Sequence, residues 1–171
     1  KSVHYIGYYY DPKKILDYEV IPLDCVDTFN CVDNAGFCIS FTDKEIEYGN
    51  KQLEKMGINE NDKYVILVLR GSDYLKTEYP NIDWKRHDHR NTKIGYYNET
   101  IKFLNEKNYK VILIGSGASQ NNTAQKNIIN YEMSKFKSEF LDIFLFSKNN
   151  CKFAISSITG VDSFAPIFKK H

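Results

Sequence analysis

The chain predicts a three-layer α/β domain of Rossmann-like kind with a mostly parallel sheet. Two continuous apolar runs rich in β-branched residues, KYVILVL from Lys63 and YKVILIG from Tyr109, suit central strands covered on both faces. Helix-type segments separate the runs. Single strands spaced by helices require crossovers, and right-handed crossovers make neighbouring strands parallel. A length of 171 residues allows one such core.

Residues 1–41 read as an irregular inter-domain or connecting segment, and residues 42–171 as the α/β domain. The first segment is rich in tyrosine and carries Pro12 and Pro22. YEVIPL and GFCISF are its only strand-like pieces, and Tyr8, Tyr9 and Tyr10 suit a domain contact more than base stacking. Order begins at Thr42. Thr42 or Asp43 can cap a helix with Glu45 in its first turn, Ile46, Leu53 and Met56 mark its apolar side, and Gly57 supplies the stop. The strand from Lys63 follows.

A second helix is expected from Asn91 or Thr92 to about Asn108, with Ile94, Tyr97, Ile101 and Leu104 inward, and it feeds the strand ending at Gly115. After a polar loop, NIINY forms a short strand and EFLDIFLFSK a helix. That helix is too apolar to be exposed, so it lies on the sheet. CKFAISS is the last strand, and ITGVDSFAPIFKK a loop leading into a final helix.

Charge is nearly balanced, 23 Lys and Arg against 22 Asp and Glu, which disfavours a general nucleic-acid binder. A small phosphorylated ligand needs only local charge. Cys25, Cys31, Cys38 and Cys151 form no CxxC pair, which disfavours a structural zinc and fits a reducing compartment; pairing among the first three stays open. No run approaches the roughly 20 apolar residues of a membrane span, and no signal-peptide pattern is present. The start at Lys1 and the stop at His171 after an apolar segment both read as cut edges.

Ligands of open α/β sheets sit beyond the carboxyl ends of the strands. Three such ends carry phosphate- or ribose-binding groups: Arg70-Gly71-Ser72-Asp73, Gly115-Ser116-Gly117-Ala118-Ser119 and Ser156-Ser157-Ile158-Thr159-Gly160. A guanidinium held at a strand end can grip phosphate oxygens bidentately, so Arg70 leads, with Gly71 permitting close approach and Asp73 orienting the arginine or touching substrate. A surface Arg–Asp pair is the plain alternative. Gln120 breaks the GxGxxG pattern after Gly115 and Gly117, and no Walker ending follows, which weakens NAD and ATP readings. Glu132 after the short strand offers only a faint acidic residue of the NAD type.

The hydroxyls of Ser156, Ser157 and Thr159, together with the N–H groups from Gly160 onward, can receive phosphate, with Asp162 as cap; an ordinary helix cap is the equal alternative. His87, Asp88 and His89 form an H-x-H loop without an evident third metal ligand, so no metal site is assigned. Either histidine can serve as base or phosphate contact. No GxSxG elbow or triad is present.

The stretch from Gly57 to Gly115 and the later stretch NIINYEMSKFKSEFLDIFLFSKNNCKFAISSITGVDSFAPIF together resemble a bacterial glycosyltransferase family, over about residues 42 to 168. More distantly, the strand-Arg-x-x-Asp piece is similar to the arginine motif of fucosyltransferases with GT-B-like architecture. The resemblance implies that residues 42–171 are the donor-binding half of a GT-B-like enzyme. It would transfer sugar from a nucleotide-diphosphate donor, GDP-linked donors included, to a glycan or cell-envelope acceptor held by a further domain or partner chain. It implies no cofactor or metal, and a cytoplasmic enzyme, peripheral to the membrane through its acceptor. Arg70 would take the donor's β-phosphate, Asp73 the acidic position, and the serines from Ser156 would line the phosphates. Val68 stands where those enzymes carry histidine, which puts the fucosyl donor in question.

In such a reaction cations must meet the charge growing on the diphosphate. Removing one well-placed donor costs about 3 to 4 kcal/mol. Arg70, helped by Lys85, Arg86 or Arg90, would supply this, and Asp73, His87, Asp88 and His89 are the candidate bases. The rival reading is a non-catalytic nucleotide- or sugar-binding α/β module.

Overall fold

The computed structural model describes residues 39–118, 127–157 and 159–170. The YEVIPL strand, the tyrosine run, Cys25, Cys31, Cys38, Ser119 and Ile158 lie outside them, as do residues 36–38 of GFCISF, whose described residues 39–41 form no strand. The unit carrying the sheet runs from Ser40 to His171.

Four strands, β1 (Lys63–Val68), β2 (Tyr109–Ile114), β3 (Ile128–Asn130) and β4 (Cys151–Ser156), make one sheet in the order β3-β2-β1-β4. Every pairing is parallel. The chain steps outward from β1 to β2 to β3, then crosses back to place β4 on the other side of β1. The direction therefore reverses between β1 and β4, the position where ligands enter sheets of this class. β1 and β2 pair without a break from Lys63–Tyr109 to Val68–Ile114, so their carboxyl ends stop level.

The two central strands are buried from Tyr64 and from Val111 onward because both faces are covered there. Val65, Leu67, Leu69, Val111 and Leu113 face Ile94, Ile101 and Leu104 in one core cluster. The alternate residues Tyr64, Ile66, Val68, Ile112 and Ile114 take the other face, as the two-residue period of a strand requires.

Helix α1 (Asp43–Lys55) opens with a capping box, Thr42 and Glu45 bonding each other's backbone, and ends before Gly57 in the left-handed conformation. Its buried positions are Gly49 and Leu53, while Ile46 is exposed. The expected apolar side is thus displaced. The Phe144 ring fills the space that a Gly49 Cβ would occupy, so glycine is the inward residue there.

The expected helix from Asn91 starts later. A short helix α2 (Asp73–Glu78) and a 3₁₀ turn (Lys85–Arg90) occupy the polar stretch after β1. Ile94 and Tyr97 lie in a second 3₁₀ turn, and helix α3 (Asn98–Glu106) begins only at Asn98. It ends near Asn108, which is left-handed, as expected.

Helix α4 (Glu139–Ser147) is capped by Ser138 and buries Leu141, Phe144, Leu145 and Phe146. Burial of this face and the bond from Tyr64 Oη to the Leu145 carbonyl, 2.6 Å, hold it to the sheet. The expected final helix is reduced to a 3₁₀ turn (Val161–Ser163) and the four-residue α5 (Phe164–Ile167). No helix of the described residues is long and apolar enough to cross a membrane.

Candidate binding site at the strand ends

The loop after β1 is anchored from both sides. The Arg70 N–H donates to Ser157 Oγ at 2.9 Å, across the point where the strand order reverses. The Arg70 carbonyl accepts from the Thr92 N–H at 2.9 Å. The arginine backbone is therefore fixed by β4 and by the segment leading to α3.

The loop after β2 packs on the same place. Gly71 N–H donates to Ser116 Oγ at 3.1 Å, and Gly117 N–H to the Leu69 carbonyl at 2.9 Å. A Cβ on Gly71 would meet Gly117 N at 2.8 Å, and one on Gly117 would meet the Arg70 carbonyl oxygen at 2.8 Å. Gly115 has φ +95° with its Cβ position against the Leu69 carbonyl. These glycines let two loops of this protein touch, and the close approach they permit is of backbone to backbone.

The three strand ends enclose one cleft of about 480 Å³. From β1 come Leu69, Arg70 and Gly71, with Leu75 from α2; from β2 come Ile114, Gly115 and Ser116. Thr159, Gly160 and Val161 follow β4, and Glu132 and Lys137 close the β3 side. The apolar walls, Leu75 and Val161 among them, escaped the sequence reading because nothing local marks a leucine or valine as facing a cavity. Lys137 carried no sequence signal either, whereas Glu132 stands just past a short strand and was visible as an acidic strand-end residue.

Several expected phosphate contacts are engaged elsewhere. Ser156 Oγ donates to Asp162 Oδ2, and the Thr159 N–H donates to the same oxygen at 3.0 Å. Ser157 Oγ takes the Arg70 N–H. Asp162 thus holds the turn, as a cap does, and among the described residues of Ser156–Gly160 Thr159 and Gly160 reach the cleft. Ser156, Ser157 and Gly117 build the cleft without lining it.

Two buried polar atoms beside the cleft have no hydrogen-bond partner among the described residues, Arg70 Nε and Thr159 Oγ1. Each such orphan costs about 1–3 kcal/mol if left dry and unpaired. Burial, and then the neighbouring Arg90 guanidinium, lower the Arg70 pKa. Burial, then Arg86, Arg70, Arg90 and His89, likewise push the His87 imidazole below its ordinary value. Arg86 Nε donates to His87 Nε2 at 3.2 Å, so the imidazole is neutral at that nitrogen. Arg90 and His87 therefore lie near enough to Arg70 to feel its charge, and the repulsion between the two guanidiniums favours an anion between them.

Of the candidate bases, His87 is close enough to feel Arg70. Asp73, Asp88 and His89 are exposed and do not line the cleft; Asp88 Oδ1 accepts from Asn91 Nδ2 at 3.0 Å. Among the described residues no three His, Cys, Asp or Glu side chains gather in a group that could hold a metal ion, so His87 and His89 gain no third ligand there.

No family model, no curated protein and no solved structure matches the chain. What the fold supports is a Rossmann-like α/β domain, compatible with a nucleotide- or sugar-binding module. The glycosyltransferase resemblance rests on the sequence reading alone.

Proposed function

We propose that this domain binds the phosphate-bearing part of a nucleotide or nucleotide sugar, with Arg70 as the chief electrostatic anchor. The observation that carries this reading is the meeting of three strand ends in one cleft where the strand order reverses. A guanidinium with a buried, unpartnered Nε stands there. The cleft walls suit a ring: Leu69, Leu75, Ile114 and Val161 are apolar, and Arg70, Ser116, Glu132, Lys137 and Thr159 supply the polar lining. Phosphate would reach Arg70 from the cleft side, with the Arg90 guanidinium as a neighbouring charge.

Calorimetric titration with GDP, UDP and CMP tests the reading. Wild type should bind at least one of them, and Arg70→Ala should bind it on the order of 10- to 100-fold more weakly, the loss expected for a charged hydrogen-bonding partner. Equal affinity in the two proteins would refute the role of Arg70.

Sugar transfer from a nucleotide-diphosphate donor is the enzymatic form of the same reading. The cations around His87 support it, because charge growing on a departing diphosphate needs cations to meet it. In that reaction His87, Asp73, Asp88 and His89 are the candidate bases, and Arg70 is among the charges that lower the His87 pKa. Release of nucleoside diphosphate from a panel of nucleotide sugars, dependent on Arg70, would establish transfer. Binding without release would leave a non-catalytic module.

A further inference from the structure

The edge of the cleft farthest from β4 holds a carboxylate whose position is fixed by its neighbours. Glu132 Oε2 accepts the Gly115 N–H at 2.8 Å and the Lys137 ammonium at 2.9 Å. Lys137 in turn lies 3.3 Å from Asp142 Oδ1, on α4. A carboxylate offers roughly four acceptor sites, two on each oxygen. Both contacts fall on Oε2, so Oε1 keeps its pair without a partner among the described residues. Glu132 is only partly exposed and lines the cleft, while Gly115, which donates to it, follows directly on β2.

We propose that Glu132 Oε1 receives the vicinal hydroxyl pair of a sugar ring in the bound ligand, in the first instance the ribose of a nucleotide. This rests on the nucleotide-binding reading and names a second fixed point for it. The carboxylate is held by Gly115, just past the end of β2, and β2 lies one strand position from β1, about 4.8 Å at ordinary strand spacing. A ligand with phosphate at Arg70 and a sugar at Glu132 would lie across the ends of β1 and β2, over the apolar Leu69 and Ile114. Two hydroxyl hydrogens match the two free sites on one oxygen. Recognition of a base edge through paired N–H donors would need both oxygens, and Oε2 is occupied by Gly115 and Lys137.

The test compares wild type with Glu132→Gln by calorimetry, using UDP, 2′-deoxy-UDP and a hexose 1-phosphate. Wild type should prefer UDP to its deoxy form by roughly tenfold, the effect of one hydrogen bond to a charged acceptor. Glu132→Gln should reduce that preference toward unity while still binding phosphate through Arg70. If the deoxy form binds as well as UDP but hexose 1-phosphate loses affinity in Glu132→Gln, the diol comes from the transferred sugar and the assignment of Oε1 stands. Equal binding of UDP and deoxy-UDP, with no response of any ligand to Glu132→Gln, overturns it. The wild-type series needs no variant to fold. Failure of wild type to bind any of the three ligands would instead count against the nucleotide reading itself, and with it this assignment.

Discussion

The backbone N–H of Arg70 and the side-chain oxygen of Ser157 meet at 2.9 Å across the reversal of strand order. The serine Oγ also lies 3.5 Å from Thr92 Oγ1 and 3.4 Å from the Val68 carbonyl. One hydroxyl therefore ties the loop after β1 to the loop after β4. The arginine side chain inherits its aim from that tie.

Ser157→Ala should leave the part-buried Arg70 N–H without its partner. The expected cost is about 1–3 kcal/mol of folding stability. Nucleotide affinity should fall with it, since Arg70 loses its register. Denaturant melts together with the calorimetric titration check both effects.

Gly117→Ala should be worse tolerated than a surface change of the same size. Its methyl group would stand 2.8 Å from the Arg70 carbonyl oxygen and 3.0 Å from Leu69 carbon, both backbone atoms that cannot swing aside. Overpacking of this kind costs about 1–3 kcal/mol. The strain falls on the β1 loop, so binding should weaken as well.

Gly49→Ala provides the contrast. Its methyl would collide with the Phe144 ring between α1 and α4, and neither residue lines the cleft. Stability should drop by a similar amount. Nucleotide affinity measured well below the melting temperature should stay as in wild type.

The pH dependence of binding should carry the signature of His87. Without ligand, burial and the surrounding cations hold its pKa below 6.5, so the imidazole is neutral at pH 7. The folded state binds fewer protons than the unfolded chain, so His87 contributes stability above pH 6.5 that is lost as pH falls through its folded pKa. A bound phosphate raises that pKa, so binding takes up a proton and affinity grows as pH falls from about 8 through this range. A nucleotide sugar is the suitable probe, because its diphosphate has no terminal phosphate to titrate there. His87→Gln should flatten the profile.

Much of the fold is legible in the sequence because β1 and β2 are covered on both faces, and double coverage writes itself as an unbroken apolar run. The capping box at Thr42 and the left-handed Gly57 are local signals and read directly. Ile94 and Tyr97 misled, since their spacing continues the pattern of Ile101 and Leu104 although both belong to a 3₁₀ turn. Gly49 was invisible because its inward position is defined by a ring 95 residues away.

At the site, strand-end position picked out Arg70, Gly115, Ser116, Thr159 and Gly160. It could not tell which hydroxyls face the cleft and which, like those of Ser156 and Ser157, brace the turns. That distinction depends on partners such as Asp162 and on the register between β1 and β4. Leu75, Val161 and Lys137 enter only through tertiary packing.

The most direct measurement is an NMR titration that follows backbone amide signals as UDP or GDP is added to the whole chain. The account predicts that the largest shifts fall together on Arg70, Gly71, Ser116, Thr159 and Gly160, and that Arg70→Ala removes them. Shifts confined to the opposite end of the sheet, around Asn50, Glu60 and Asn149, would contradict it.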